Sequence, residues 1–237
     1  MSKGYLVQAT TKEELLQAEL LANSLMSKNK DYNISLVTNL KVEDNDCFDS
    51  VIEYPFYVKT PTRSNDWQLF WCTPYEYTIL LDCKMIILET QDSMWDYLID
   101  HHSVCLPSSV TDFRKEKLQN KKFKSYQQEY DLVSVYPHMI FFDKSDEALS
   151  YFKLLDPLMQ HWHDACSSLV QKQHVPKEFD VYLMHSIAST FVGFDVTAIH
   201  NDVFTYIDMN ITHSDDKLPE CKSWTDLLTV WYSASNN

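Results

Sequence analysis

The sequence predicts an α/β fold in which a mixed, mostly parallel sheet is flanked by helices. Three observations predict it. Over the first ninety residues, short apolar runs alternate with helix-length segments, and that alternation implies right-handed crossovers between parallel strands. The chain of 237 residues is 45% hydrophobic and 14% aromatic, ample for a packed core and too apolar for a disordered chain. It has no internal repeat and no low-complexity linker, so residues 1–237 read as a single domain.

The elements follow in order. Gly4–Ala9 reads as a buried opening strand. Thr11-x-x-Glu14 is a capping box, and Leu15, Ala18, Ala22 and Leu25 follow at helical spacing, so residues 11–29 form an amphipathic helix. Residues 33–38 are a second strand, and residues 50–54 a third, stopped by Pro55. Residues 65–78 read as helical, interrupted at Pro74. Ile79-Leu80-Leu81-Asp82 and Met85-Ile86-Ile87-Leu88 form a fourth apolar strand with a polar break between its halves. Residues 91–99 read as a short helix, 104–107 as a strand entering a loop, and 139–142 as a strand. Ser145 caps a helix through Leu155. Pro157 breaks or kinks it, and a second helical stretch runs to about Gln171. Pro176 opens a helix with Phe179, Leu183, Ile187 and Phe191 on one face. Val203–Ile207 is strand-like, and a short amphipathic helix starts at Ser223.

Composition excludes several functions. There are two glycines, Gly4 and Gly193, so neither Gly-rich phosphate loop can be written. The net charge is −14, which argues against a general polyanion-binding surface. No run of 18 apolar residues predicts a membrane span, and the start has no signal-type apolar region. Six scattered cysteines without C-x-x-C read as reduced core thiols in a cytoplasmic protein rather than as disulfides or a zinc site.

The informative segment runs Thr73-Pro74-Tyr75-Glu76-Tyr77-Thr78-Ile79-Leu80-Leu81-Asp82-Cys83-Lys84-Met85. An acid emerges at the end of a buried strand, after a Pro-Tyr-acid step. The segment resembles the sugar-nucleotide site of GT-A glycosyltransferases, especially family-8-like and phage-type members. Their pattern there is roughly S/T-P-Y-[DE]-x-T-[IL]-x-L-D-x-D-[MT]. The resemblance extends to Ala22-Asn23-Ser24-Leu25, Leu36-Val37-Thr38, Phe48-Asp49-Ser50-Val51-Ile52 and Pro137–Ser145, about two thirds of the chain. It implies a transferase that uses a nucleotide-diphosphate sugar, with residues 1–90 as the donor half and 91–237 as the acceptor half. In such sheets ligands sit beyond the carboxyl ends of the strands.

The resemblance also implies roles. Carboxylates at i and i+2 usually hold a divalent cation, Mn²⁺ or Mg²⁺, against the diphosphate. Here Asp82 stands first, but Lys84 stands second. Asp82 then orients the donor or a metal. Lys84 can set its ammonium against the diphosphate and make the reaction metal-independent. The same departure fits a non-catalytic relative that has lost the metal site. The late histidine ligand of the family falls nearest Asp208, a candidate oxygen ligand and equally an ordinary strand-end acid. Ala9, Thr10 and Thr38 end the first two strands and fall in the donor pocket. Arg63 is a candidate phosphate contact, with a solvated loop charge as the alternative.

On the acceptor side, His138 follows Pro137 at a strand start. Asp180 can act as a base or simply meet a helix dipole, and His185 can reach an acceptor or be a hydrogen-bonded structural histidine. His161, His163, His101 and His102 lack metal-ligand spacing. The segment Arg114–Lys124 gathers six basic residues and one acid in a strongly acidic chain. It reads as a solvated stretch or as a polyanion contact, which in a phage-type transferase implies a hydroxylated DNA base as acceptor, flipped from the duplex. The overall charge opposes that reading. Much Lys, Asn and Tyr with little Gly suits an AT-rich viral genome, and hence a host cytoplasm.

Overall fold

A computed structural model of the chain describes residues 2–42, 46–87, 91–108, 129–169, 171 and 175–193, and the backbone of 204–206. Four strands build the parallel part of the sheet: β1 (Lys3–Ala9), β2 (Ile34–Thr38), β3 (Ser50–Glu53) and β4 (Tyr77–Leu81). Two more strands extend it: β7 (Met139–Phe142) runs antiparallel to β4, and β6 (Val104–Cys105) runs antiparallel to β7, giving the order β3-β2-β1-β4-β7-β6. The predicted α/β class and mixed, mostly parallel sheet are what the chain forms. The second half of the expected fourth strand, β5 (Met85–Ile87), leaves this sheet and pairs antiparallel with β8 (Phe204–Tyr206). The polar break at Asp82-Cys83-Lys84 is where the two part: Met85 N–H donates to the Asp82 carbonyl at 3.0 Å, closing a turn.

Side-chain alternation along the strands gives the sheet two apolar faces. Tyr5, Val7, Ile79, Leu81 and Phe141 pack under α1 (Lys12–Lys28) and α3 (Asp92–His101). Leu6, Leu80, Ile140 and Phe142 pack on the opposite side, under α4 (Asp146–Gln160) and α6 (Val181–Val192). A short helix α2 (Leu69–Cys72) also lies on that side, and α5 (Trp162–Leu169) follows α4. The capping box of α1 is formed as expected: Thr11 Oγ1 accepts from Glu14 N–H at 3.2 Å and the Glu14 carboxylate accepts from Thr11 N–H at 3.1 Å.

Four expectations need correction. Residues 65–78 are not one helix. Thr62–Gln68 is a 3-10 helix, α2 follows it, and Thr73 turns extended (φ −65°, ψ 132°) because the residue before a proline avoids the α region. Pro157 does not end its helix. It lies in the last turn of α4, where buried Leu158 and Met159 keep that turn packed despite the missing N–H. Helix α6 begins at Val181 rather than Pro176, because Asp180 is its N-cap and accepts from Leu183 N–H at 3.2 Å. In the same helix Phe191 is 65% exposed rather than core-facing. Positions four apart drift by about 40° per step, so a stripe begun at Leu183 and Ile187 has turned outward two steps later.

Candidate active site

Strand parity and register assemble the site. Val7 pairs with Leu81 and Leu81 with Met139, so the next residues, Gln8, Asp82 and His138, form a row across three adjacent strands. The backbone confirms the step: Asp82 N–H donates to the His138 carbonyl at 2.7 Å. All three follow the parity of Leu6, Leu80 and Ile140, and so face the α4 and α6 side. The row lies at the C-terminal ends of β1 and β4. It includes the start of β7 because that strand runs the other way.

The 3-10 helix covers this row with Arg63 and Asp66. Asp66 is fully buried and accepts four side-chain nitrogens: Gln8 Nε2 at 2.6 Å, Arg63 Nη2 at 2.6 Å, Arg63 Nε at 2.9 Å and His185 Nε2 at 3.0 Å. The Gln8 oxygen in turn accepts from the Tyr54 hydroxyl at 2.8 Å. Arg63 reaches past Asp66 to Asp82 Oδ2 at 3.2 Å and donates also to the Pro137 carbonyl. Asp82 Oδ2 accepts from His138 Nδ1–H at 2.7 Å, and Asp82 Oδ1 from the Lys84 backbone N–H at 3.0 Å. The far ring nitrogen of His138 is hydrogen-bonded to the Tyr182 hydroxyl.

Electrostatics follow from these partners. Burial pushes the Asp82 carboxyl up, but the His138 hydrogen bond and charge, the Arg63 guanidinium and the Lys84 N–H outweigh it and hold the group well below the usual carboxylate range. For Asp66, burial likewise raises, and Arg63 with the His185 hydrogen bond more than reverses it. Burial lowers His185 against the opposing pull of Asp66. His185 is therefore a neutral ring that donates to Asp66 and accepts from the Tyr151 hydroxyl at 2.7 Å. One guanidinium thus serves two ionised, buried carboxylates.

The expected site residues are placed as follows. Asp82, Arg63 and His138 come together. Arg63 is not a solvated loop charge: its side chain is 13% exposed, and its guanidinium is bound to Asp66, Asp82 and the Pro137 carbonyl. Lys84 is half-buried in the turn after β4. Ala9 is buried and paired with Thr38 in register. Thr38 is also buried, its hydroxyl accepting from Leu40 N–H at 3.0 Å. Thr10 is bound to Glu14 through both its N–H (2.8 Å) and its hydroxyl (3.2 Å), and contacts Thr62. His185, expected on the acceptor side, is fully buried between Asp66 and Tyr151, because its position on α6 points it into the polar core beneath the sheet end. Asp180 caps α6. Asp208 and the basic segment 114–124 lie outside the described residues.

Sequence reasoning missed Asp66, Tyr54 and Tyr182. The signal for Asp66 was the Arg63-x-x-Asp66 spacing within a polar run that leads into Trp67 and Leu69, both buried.

The site does not fit a divalent cation at Asp82. Both its oxygens accept protein N–H groups, and the position two residues later is an ammonium instead of a carboxylate. Among the described residues, no three His, Cys, Asp or Glu side chains gather as a metal site. Nor, among them, is any helix long and apolar enough to cross a membrane.

No family model and no curated protein matches the sequence. Solved structures do match the fold. A galactosyltransferase, LgtC, solved with donor and acceptor sugar analogs, superposes with a TM-score of 0.57 at 9% identity, covering 98% of this chain and 95% of that one. The glycosyltransferase GlyE of Streptococcus pneumoniae gives 0.51 at 11% identity, over 99% of this chain and 64% of that one. Mouse xyloside xylosyltransferase 1 gives 0.50 at 11% identity, over 83% and 85%. At such identities the likeness is one of fold, and the fold is GT-A.

Proposed function

We propose that this chain transfers a glycosyl unit from a nucleotide-diphosphate sugar to an acceptor hydroxyl at the C-terminal ends of β1 and β4. The observation that carries the reading is the row Gln8–Asp82–His138 with its buried charges. It stands at the end of a GT-A sheet where α/β folds bind ligands. Polar and charged groups buried at that density are costly to maintain and concentrate at functional sites.

In the transfer, the bond between the sugar C1 and the diphosphate oxygen breaks and its electron pair stays on the diphosphate. The acceptor oxygen bonds to C1 and gives up its proton to the departing diphosphate or to solvent. Charge therefore develops on the diphosphate, and a fixed cation beside it lowers the barrier. Lys84 is the residue we assign to that charge. Asp82 orients His138 and Arg63, so that the floor of the pocket is rigid before the donor arrives. Ala9, Thr10 and Thr38 border the nucleotide side, at the ends of β1 and β2.

The test is release of nucleoside diphosphate from a panel of UDP-, GDP-, CDP-, ADP- and dTDP-sugars, with water and simple saccharides as acceptors. We expect one donor to be turned over. Lys84→Ala should lower release by about a hundred-fold, the range for losing one electrostatic contact to a transition state, and Asp82→Ala should lower it as well by freeing His138 and Arg63 to move. Circular dichroism confirms that each variant is folded. Turnover unchanged in both folded variants, or none with any donor, overturns the reading.

A further inference from the structure

We propose that the donor diphosphate is held at the Asp82–Lys84 turn without a divalent cation, by positive charge that the chain itself carries. The proposal rests on the glycosyltransferase reading above and adds how its ligand is neutralised. Three observations support it.

Asp82 is already committed. One oxygen takes His138 Nδ1–H at 2.7 Å and Arg63 Nη1 at 3.2 Å, and the other takes the Lys84 N–H at 3.0 Å. A metal at this carboxylate would sit beside a guanidinium.

Arg63 cannot withdraw to make room. Its Nε lies 2.9 Å from both Asp66 oxygens, its Nη2 lies 2.6 Å from Oδ2, and it also holds the Pro137 carbonyl. Asp66 is in turn fixed by Gln8 and His185. Moving the guanidinium would strand a fully buried carboxylate.

The second carboxylate of a metal pair is absent. A carboxylate pair that awaits a metal is net negative until the ion arrives. Here the guanidinium of Arg63 faces both Asp66 and Asp82, and the position two residues after Asp82 is a lysine whose backbone N–H is folded onto Asp82. A dication would have to join the cationic Arg63 and Lys84, whereas a diphosphate brings the opposite sign to half-buried Lys84. The ligand class is therefore a nucleoside diphosphate bound as the free anion.

The experiment is calorimetric titration of the full chain with UDP, GDP, CDP, ADP and dTDP, and with the matching nucleosides, in EDTA and then in Mn²⁺. We expect one diphosphate to bind in EDTA, with affinity changed less than about three-fold by Mn²⁺. Lys84→Gln should weaken that diphosphate by about ten- to a hundred-fold, the worth of one charge-assisted contact, and leave the nucleoside unchanged. Lys84→Asp restores two carboxylates at i and i+2. It should lose the diphosphate and not regain it in Mn²⁺, because Asp82 stays committed. Circular dichroism confirms that both variants fold. Binding that needs Mn²⁺ in the wild type, or that Mn²⁺ creates in Lys84→Asp, overturns this inference and leaves the glycosyltransferase reading standing. Absence of binding by every diphosphate in both buffers overturns the two together.

Discussion

Replacing Arg63 with Met keeps the aliphatic stem and removes the one charge shared by two buried acids. Asp66 would lose its Nε and Nη2 partners and keep Gln8 and His185. Asp82 would lose its 3.2 Å partner and keep His138 and the Lys84 N–H. The Pro137 carbonyl would also lose a donor. Breaking one buried ion pair by removing a partner costs about 3–5 kcal/mol, and each carboxylate retains two donors, so we take the lower part of that range. An unsatisfied carbonyl adds about 1 kcal/mol, giving roughly 4–5 kcal/mol in all. That is a large share of the roughly 5–15 kcal/mol typical of a folded domain.

Urea denaturation followed by fluorescence of the six tryptophans measures the change. With a slope of about 2–3 kcal/mol per M, the midpoint should fall by about 1.3–2.5 M. The pH dependence fixes the cause. In the wild type both carboxyls are held below their unfolded value. Their contribution is complete above about pH 4 and is lost as pH falls below that. In the variant burial dominates and pushes Asp66 above its unfolded value, so its ionisation at higher pH works against folding. The gap between the two proteins should therefore be widest near pH 8 and narrow toward pH 5. A loss below about 1 kcal/mol, as for a surface pair, or a gap equal at pH 5 and pH 8, would refute this account of Arg63.

Gly4→Ala would place a Cβ 2.5 Å from the Tyr75 ring, which is buried and tied by its hydroxyl to Ser35 at 2.6 Å. Overpacking there should cost about 1–3 kcal/mol in the same urea assay, and Tyr75→Leu in the same chain should return part of it. Ile187→Ala should cost about 2–5 kcal/mol, since that side chain is in the core. Phe191→Ser, on the same helix, should change stability by no more than about 0.5 kcal/mol; equal losses would mean that α6 packs in another rotation. His185→Phe should cost about 1–3 kcal/mol by leaving Asp66 and Tyr151 each short of a partner, and an unchanged melting transition would remove His185 from the network.

The sheet was legible because its strands are apolar runs bounded by Pro and polar breaks, and period and punctuation are local properties. Thr11 and Glu14 named the start of α1 for the same reason. Asp82 was legible through its motif, and the resemblance that it carried led to the right fold. What the sequence hid is non-local. Asp66 looks like one more polar residue in a run of them. It becomes a buried anchor only because the 3-10 helix lays it against Gln8 from β1 and His185 from α6. His185 was legible as a hydrogen-bonded structural histidine or an acceptor-side residue, yet its position in the helix cannot say that the carboxylate of Asp66 is its partner. The row Gln8–Asp82–His138 was within reach once β7 is read as antiparallel to β4, since parity alone then aligns the three.

The two outer strands have a consequence for self-association. Among the described residues the sheet ends in a four-residue strand, β3, on one side and a two-residue strand, β6, on the other, while the seven-residue β1 is enclosed. An unpaired strand offers backbone donors and acceptors to any second chain in proportion to its length, and short outer strands are one way natural sheets limit that template. The outer strand β3 also ends in Glu53, and its exposed Val51 stands between Ser50 and Ile52, with no long apolar run to register against. The apolar stretch Tyr77–Leu81 is meanwhile locked between β1 and β7. Concentrated solutions of the native chain should therefore stay free of cross-strand oligomers until unfolding releases that inner pair of contacts.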